Sequence, residues 1–172
     1  MPEYFDVVDE EDKVVGRETG LECVNRGLLH RAILVFLLSP SDEIYLQKRA
    51  ENLLLYPGFW SASCTGHVSS GETYLDAARR EMKEELGLEC NLQTLTKFMS
   101  PKWKIGARTE WEFIMVFETI VADRDIKLSN ETQEGKFVSL TEFERMLATE
   151  PERFTPDTIL AAQRYHRIMR SP

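Results

Sequence analysis

An α+β sandwich is the fold this sequence predicts, on three observations. Short β-branched and aromatic runs are punctuated by only a few helical patterns. Ala32 to Leu38 is unbroken apolar sequence, the pattern of a buried strand. Thr73 to Leu86 carries Leu75, Ala78, Met82 and Leu86 at helical spacing, which makes one apolar stripe on an otherwise charged segment.

The elements follow in chain order. Tyr4 to Asp9 and Val14 to Thr19 flank the turn-like Glu10-Glu11-Asp12 and read as a hairpin. Leu21 to Arg26 is a short helical turn closed by Gly27. His30 to Leu38 is a strand, and Ser39-Pro40-Ser41-Asp42 turns the chain towards its partner, Ile44 to Arg49. Leu53 to Trp60 contains Pro57-Gly58 and reads as irregular. Ser61 to Thr65 is a short strand leading into Gly66. The helix Thr73 to Leu86 ends at Gly87, a C-cap. Leu92 to Met99, Trp111 to Val121 and Lys136 to Ser139 are strands. Thr141 caps a helix running to about Ala148, and Thr155-Pro156 opens the last helix in the favoured order of cap and then proline.

Composition removes several function classes. The chain has 172 residues, a length suited to one domain with its own core. Its formal net charge of −8 argues against a broad nucleic-acid-binding face, which needs basic residues. No apolar run approaches membrane-spanning length. The acidic start, MPEYFDVVDEED, has no apolar secretory core. Cys23, Cys64 and Cys90 show neither metal-knuckle spacing nor an even-numbered disulfide framework. A cytoplasmic protein is the expectation. Oligomeric state is left open, with a homodimer compatible.

The chemistry concentrates in GHVSSGETYLDAARREMKEELGL, Gly66 to Leu88. Glu81, Glu84 and Glu85 lie three and four positions apart, so they share a helix face. Crowded carboxylates repel, and a divalent cation is the simplest compensation. Oxygen ligands of this kind hold Mg²⁺, usually with waters and a substrate phosphate; Mn²⁺ is a possible substitute. A metal-dependent enzyme acting on a phosphate compound is therefore expected. Glu84 and Glu85 are candidate metal ligands. Glu81, one turn earlier, is a third ligand or the group that orients a water. Arg80 can lock the carboxylates by charge-assisted hydrogen bonds, and Glu72 suits the positive start of the helix.

Read as spacing, Gly66, Glu72 and Arg80-Glu81-x-x-Glu84-Glu85-x-Gly87-Leu88 resemble the Nudix box, the loop–helix–loop signature of the Nudix superfamily. The resemblance implies an α/β/α sandwich with a mixed central sheet. It would form one domain: an N-terminal hairpin extension over 1–29, a core over 30–140 with the box at 66–88, and C-terminal helices over 141–172. It also implies hydrolysis of a diphosphate linked to another moiety, a Gly66 carbonyl able to bind metal, and catalytic roles for Arg80, Glu81, Glu84 and Glu85.

A narrower resemblance extends over roughly Tyr4 to Val138, through DVVDEEDKVVGRETGLECVNRGLLHRAILVFLL, QKRA and YPGFWSASCTGH. These segments look like the branch that includes isopentenyl-diphosphate isomerases. That resemblance implies metal-binding roles for His30, His67 and the pair Glu110 and Glu112, with Cys23 near the place of a further histidine. His30 remains open between ligand and buried structural residue. Glu110 and Glu112 alternate on a strand and face one way; Glu110 is taken as a ligand and Glu112 as a water activator. The isomerase cysteine falls on Thr65, while Cys64 is one place off and would point to the opposite face. With the acidic helix complete, hydrolysis is the first expectation, isomerisation the alternative and a non-catalytic diphosphate-binding module the third. Lys48, Arg49, Lys102 and Trp103 are candidate substrate contacts, because they combine cations with an aromatic surface. Phe59 and Trp60 either line the pocket or are buried below the box loop.

Overall fold

The apolar run of the third strand is explained by what covers it. In the computed structural model, which describes residues 2–122 and 125–169, β3 (His30–Leu38) lies at the centre of a seven-stranded mixed sheet. Ala32, Leu34, Phe36 and Leu38 point into one core and Ile33, Val35 and Leu37 into another. Both faces are covered, so no polar alternation is left in the sequence.

The first two strands stand apart from that sheet. β1 (Tyr4–Val8) and β2 (Val14–Thr19) form the expected hairpin, followed by α1 (Gly20–Arg26). Gly27 closes α1 with φ of 62°, in the left-handed region that glycine enters without strain. The main sheet runs β11–β4–β3–β10–β7, using β4 (Glu43–Arg49), β7 (Gln93–Met99), β10 (Glu112–Ile120) and β11 (Thr132–Ser139). β10 runs parallel to β3, and the other strand pairings among the described residues of the sheet are antiparallel. β5 (Trp60–Ser61) pairs with β4, and β6 (Cys64–His67) pairs with β3.

One helix covers one face and two cover the other. α2 (Tyr74–Leu86) buries Ala77, Ala78, Met82 and Leu86 against the Ile33 side. α3 (Leu140–Thr149) and α4 (Pro156–Met169) cover the Leu34 side through Phe143, Met146, Ala161, Ala162 and Tyr165. This is the α/β/α arrangement expected from the sequence. No helix among the described residues is long and apolar enough to cross a membrane.

Several boundaries move for physical reasons. Gly66 and His67 belong to β6 rather than following a strand, because their backbone pairs with Ile33 and Ala32. β11 begins at Thr132, four residues before the expected Lys136, since pairing with β4 carries a polar sequence that has little strand pattern of its own. Ser139, not Thr141, caps α3: its side chain accepts the Glu142 N–H. Lys102-Trp103-Lys104 is no free loop. β8 (Trp103–Ile105) and β9 (Arg108–Glu110) form a second small hairpin across it.

Candidate active site

The acidic helix is fixed at both ends. The Thr73 side chain accepts the Asp76 N–H at the N-cap, and Gly87, at φ of 71°, donates to the Lys83 carbonyl. With the apolar stripe inward, Glu81, Glu84 and Glu85 face a cavity of about 520 Å³. Arg80 ties this face to the preceding loop. Its guanidinium donates to both Glu72 oxygens at 3.0 Å, to Glu81 at 2.7 Å, to Glu84 at 3.3 Å and to the His67 carbonyl at 3.0 Å. Glu72 in turn accepts the Ser69 N–H at 3.0 Å. A bidentate guanidinium–carboxylate pair of this kind sets direction as well as charge.

Gly66 serves by having no side chain. A Cβ built there would meet the Glu81 carboxyl carbon at 2.4 Å. Glu81 therefore rests directly on the β6 backbone. Burial raises the Glu81 pKa, against the opposing effect of Arg80. Burial, with the neighbouring Glu81 charge, pushes Glu85 up to about 8, while a Gln47 hydrogen bond acts the other way. Carboxyls held this reluctantly in their charged form gain most when a cation arrives.

A second group lies on the opposite side of the sheet's end. The register places Glu112 beside His30 on parallel strands and His67 beside Ala32. His30 Nε2 is 3.6 Å and His67 Nε2 3.2 Å from the same Glu112 oxygen. The three donor atoms lie within 4.8 Å of one another. His30 is fully buried, and its Nδ1 sits 2.8 Å from the Leu28 carbonyl. A carbonyl can only accept, so Nδ1 carries a proton and Nε2 is the nitrogen that faces Glu112. Both Nε2 atoms are buried, and neither meets the Glu112 oxygen or any other acceptor in hydrogen-bond geometry. Phe5 of the hairpin stacks on His67 at 4.6 Å and on His30 at 5.4 Å.

Those orphaned nitrogens test whether a metal fits. Buried polar atoms are normally paired, and two imidazoles converging on one carboxylate make a nitrogen-and-oxygen donor set suited to a transition metal or zinc. Burial pushes Glu112 upward, but the contacts with His30 and His67 outweigh it and hold the group well below the usual carboxylate range. Burial works against a charged His67, yet Glu112 and Glu110 bring its pKa up to about 9. Without metal the triangle is therefore an imidazolium–carboxylate cluster, and binding a cation displaces protons.

Between the two groups the cavity wall carries Glu110, Asp157, Thr65, Tyr56 and Arg49. Glu110 is 8% exposed, and burial together with Glu112 raises it to about 8. Glu110 thus lines the cavity without joining the His30–His67–Glu112 triangle. Among the substrate candidates, Arg49 reaches the wall, whereas Lys48, Lys102 and Trp103 do not line it. The Lys102 ammonium lies 3.8 Å above the Trp111 ring, and Trp103 packs against the Leu34-side core. Trp60 is buried in that core, and Phe59 packs on the Tyr56 ring. Cys64 is fully buried on the α2 side while Thr65 faces the cavity, and Cys23 is a buried core residue.

Two wall residues, and the Phe5 ring stacked on the imidazoles, escape sequence reading. Asp157 hides in the first turn of α4 and Tyr56 in an irregular loop, where its backbone holds φ of 50°. Phe5 gives no local sign of contact with residues so distant in sequence.

Comparison with known proteins settles the kinship. The NUDIX domain family matches residues 28–158. The chain belongs to the NUDIX family. Isopentenyl-diphosphate Delta-isomerase 2 of Aromatoleum aromaticum is 33% identical over 156 residues, covering 90% of this chain and 82% of that one. Isopentenyl-diphosphate Delta-isomerase of Serratia proteamaculans is 28% identical over 155 residues, with coverage of 90% and 87%. The crystal structure of DR0079 from Deinococcus radiodurans superposes with a TM-score of 0.76 at 27% identity, covering 94% of this chain and 98% of that one. The NUDIX fold and an enzyme family follow. The relatives' names speak for isomerisation more than for the hydrolysis that the acidic helix put first.

Proposed function

We propose that this NUDIX protein is a divalent-metal-dependent enzyme of a small organic diphosphate, with isomerisation of isopentenyl diphosphate as its first reading. The observation that carries it is the buried His30–His67–Glu112 triangle opening into the same cavity as Glu81, Glu84 and Glu85. The isomerase-named relatives support the same chemistry. The cavity wall is strongly acidic, so a diphosphate needs cations to enter it. Mg²⁺ or Mn²⁺ on the helix face would neutralise phosphoryl charge. Arg49 and Arg80 add fixed positive charge on that wall. Double-bond migration needs one group that gives a proton and one that takes it. Glu110, raised to about 8, holds a proton near neutral pH, while Glu112 stays ionised. Two carboxyls with pKa values pushed apart are suited to such a division of labour.

Hydrolysis by water attack on phosphorus is the second reading, favoured by one observation. The thiol of Cys64 is sealed in the core, and Thr65 occupies the cavity wall. A hydroxyl is a far weaker acid than a thiol, so thiol-driven protonation is lost at this position. Hydrolysis needs no such acid and uses the complete Glu81, Glu84 and Glu85 face.

Isopentenyl diphosphate, incubated with the protein and Mg²⁺ plus Mn²⁺ or Zn²⁺, separates the readings. The first predicts the allylic isomer with its diphosphate intact. Release of phosphate or diphosphate supports the second. A panel of nucleoside diphosphates, sugar nucleotides, dinucleotides and coenzyme A extends the test. Binding without turnover across the whole panel would sink both and leave a diphosphate-binding module.

A further inference from the structure

Gln47 is only 5% exposed, and both amide N–H groups and the amide oxygen have partners. On β4 it shares the α2-facing side with Tyr45. One N–H donates to the Ser63 carbonyl at 2.6 Å and the other to Glu85 Oε2 at 2.9 Å. Its oxygen accepts from the Thr132 hydroxyl at the start of β11. Turning the amide over would set its oxygen against the Ser63 carbonyl and the Glu85 carboxylate at once, so only one orientation satisfies all three partners. Ser63 is itself fixed: its hydroxyl donates to the Tyr45 carbonyl at 2.6 Å and accepts the Leu37 N–H at 2.7 Å.

We infer that Gln47, braced by Thr132 and Ser63, is a positioning residue that sets the Glu85 carboxylate for a divalent cation. The inference rests on the reading of Glu81, Glu84 and Glu85 as a cation-binding face. A polar side chain buried in a strand costs stability unless it is fully paired. Here its partners are two frame atoms and one carboxylate that opens on the cavity. The network links edge strand β11 to the acidic helix through a single amide. Partners of this kind orient metal-binding side chains, and their loss typically weakens metal affinity by about 10-fold to 100-fold.

Mn²⁺ binding, followed by the paramagnetic resonance signal of the free ion, tests this on the whole protein. Gln47→Leu is expected to weaken binding about 10-fold. Combined with Glu85→Gln, it should add almost nothing to the loss caused by Glu85→Gln alone, because both act through one carboxylate. A purely structural role predicts losses that add, and additive losses, or wild-type affinity in Gln47→Leu, overturn the assignment. Where Gln47→Leu does not fold, Thr132→Val enters the same cycle and should give a smaller, equally non-additive loss. Additive loss or wild-type affinity in that variant overturns the assignment too. If Glu85→Gln itself leaves Mn²⁺ affinity unchanged, the cation-face reading fails instead, so the two failures remain distinct.

Discussion

The cavity has two charged ends built on opposite plans. The acidic end is one stretch of chain: a loop, a helix, and an arginine that reaches back to Glu72 across eight positions. The imidazole end is assembled from three strands, with residues 30, 67 and 112 brought together only by sheet register. The first offers oxygen donors, and the Glu84 side chain is 61% exposed. The second offers two nitrogens and one oxygen below a phenylalanine ring. Their difference teaches what each can hold. Hard, water-keeping cations suit the open carboxylates, whereas softer, more fully dehydrated ions suit the buried imidazoles.

The sharpest way to break this comparison is to disable one end at a time. Glu85→Gln should lower turnover of whichever diphosphate proves active by roughly 10²-fold or more, the scale expected for loss of a principal electrostatic stabiliser. The fold should survive, because the substitution is isosteric. His67→Ala should leave Mg²⁺ affinity at the helix face near the wild-type value and remove one Zn²⁺ equivalent, counted by calorimetry after chelator treatment. Equal damage to both ions from either variant would show that the two ends are one site.

Gly66→Ala sharpens the acidic half. The added Cβ would sit 2.4 Å from the Glu81 carboxyl carbon, so Glu81 must leave its place against β6. Overpacking of this kind costs about 1–3 kcal/mol, and turnover should fall by about 10-fold or more if the whole cost is expressed in the reaction. Near-wild-type turnover would show that Glu81 needs no fixed seat. Phe5→Leu probes the other half. It keeps an apolar roof but removes the flat ring stacked on both imidazoles. About a 10-fold loss of Co²⁺ affinity with altered visible absorption bands is expected; an unchanged spectrum would reduce Phe5 to packing.

Legibility follows the same division. The carboxylate helix, its stripe and its caps are contiguous, so spacing alone reveals Glu81, Glu84, Glu85 and Arg80. His30, His67 and Glu112 carry no mutual spacing signal, because a sheet joins residues through register that no short window contains. Resemblance pointed to them, but it did not show that His30 and Glu112 align on parallel strands, nor that Glu110 lies outside the triangle. β8 and β9 escape sequence reading because strands of three residues, Trp103–Ile105 and Arg108–Glu110, are too short for a period to register. Gln47 and Asp157 are single polar residues whose importance appears only once the cavity has walls.

The smallest expected effect concerns how the hairpin carrying Phe5 is held over the imidazole end. Asp12, beside the hairpin turn, accepts from Arg31 Nε at 2.6 Å, Lys97 Nζ at 2.8 Å and the Tyr74 hydroxyl at 3.0 Å. Burial raises its pKa, but the bonds to Lys97, Arg31 and Tyr74 outweigh that and hold it below 3.8. A depressed carboxyl pKa stabilises the folded state above the unfolded value and loses that contribution as pH falls through the folded one. The stability difference between wild type and Asp12→Asn should therefore be full above pH of about 4, near 1 kcal/mol, and shrink steadily below it. Denaturant titration at several pH values measures that difference directly. A difference that stays constant into the acid range would mean that the network contributes shape rather than charge, and that the imidazole end keeps its roof without this ionic latch.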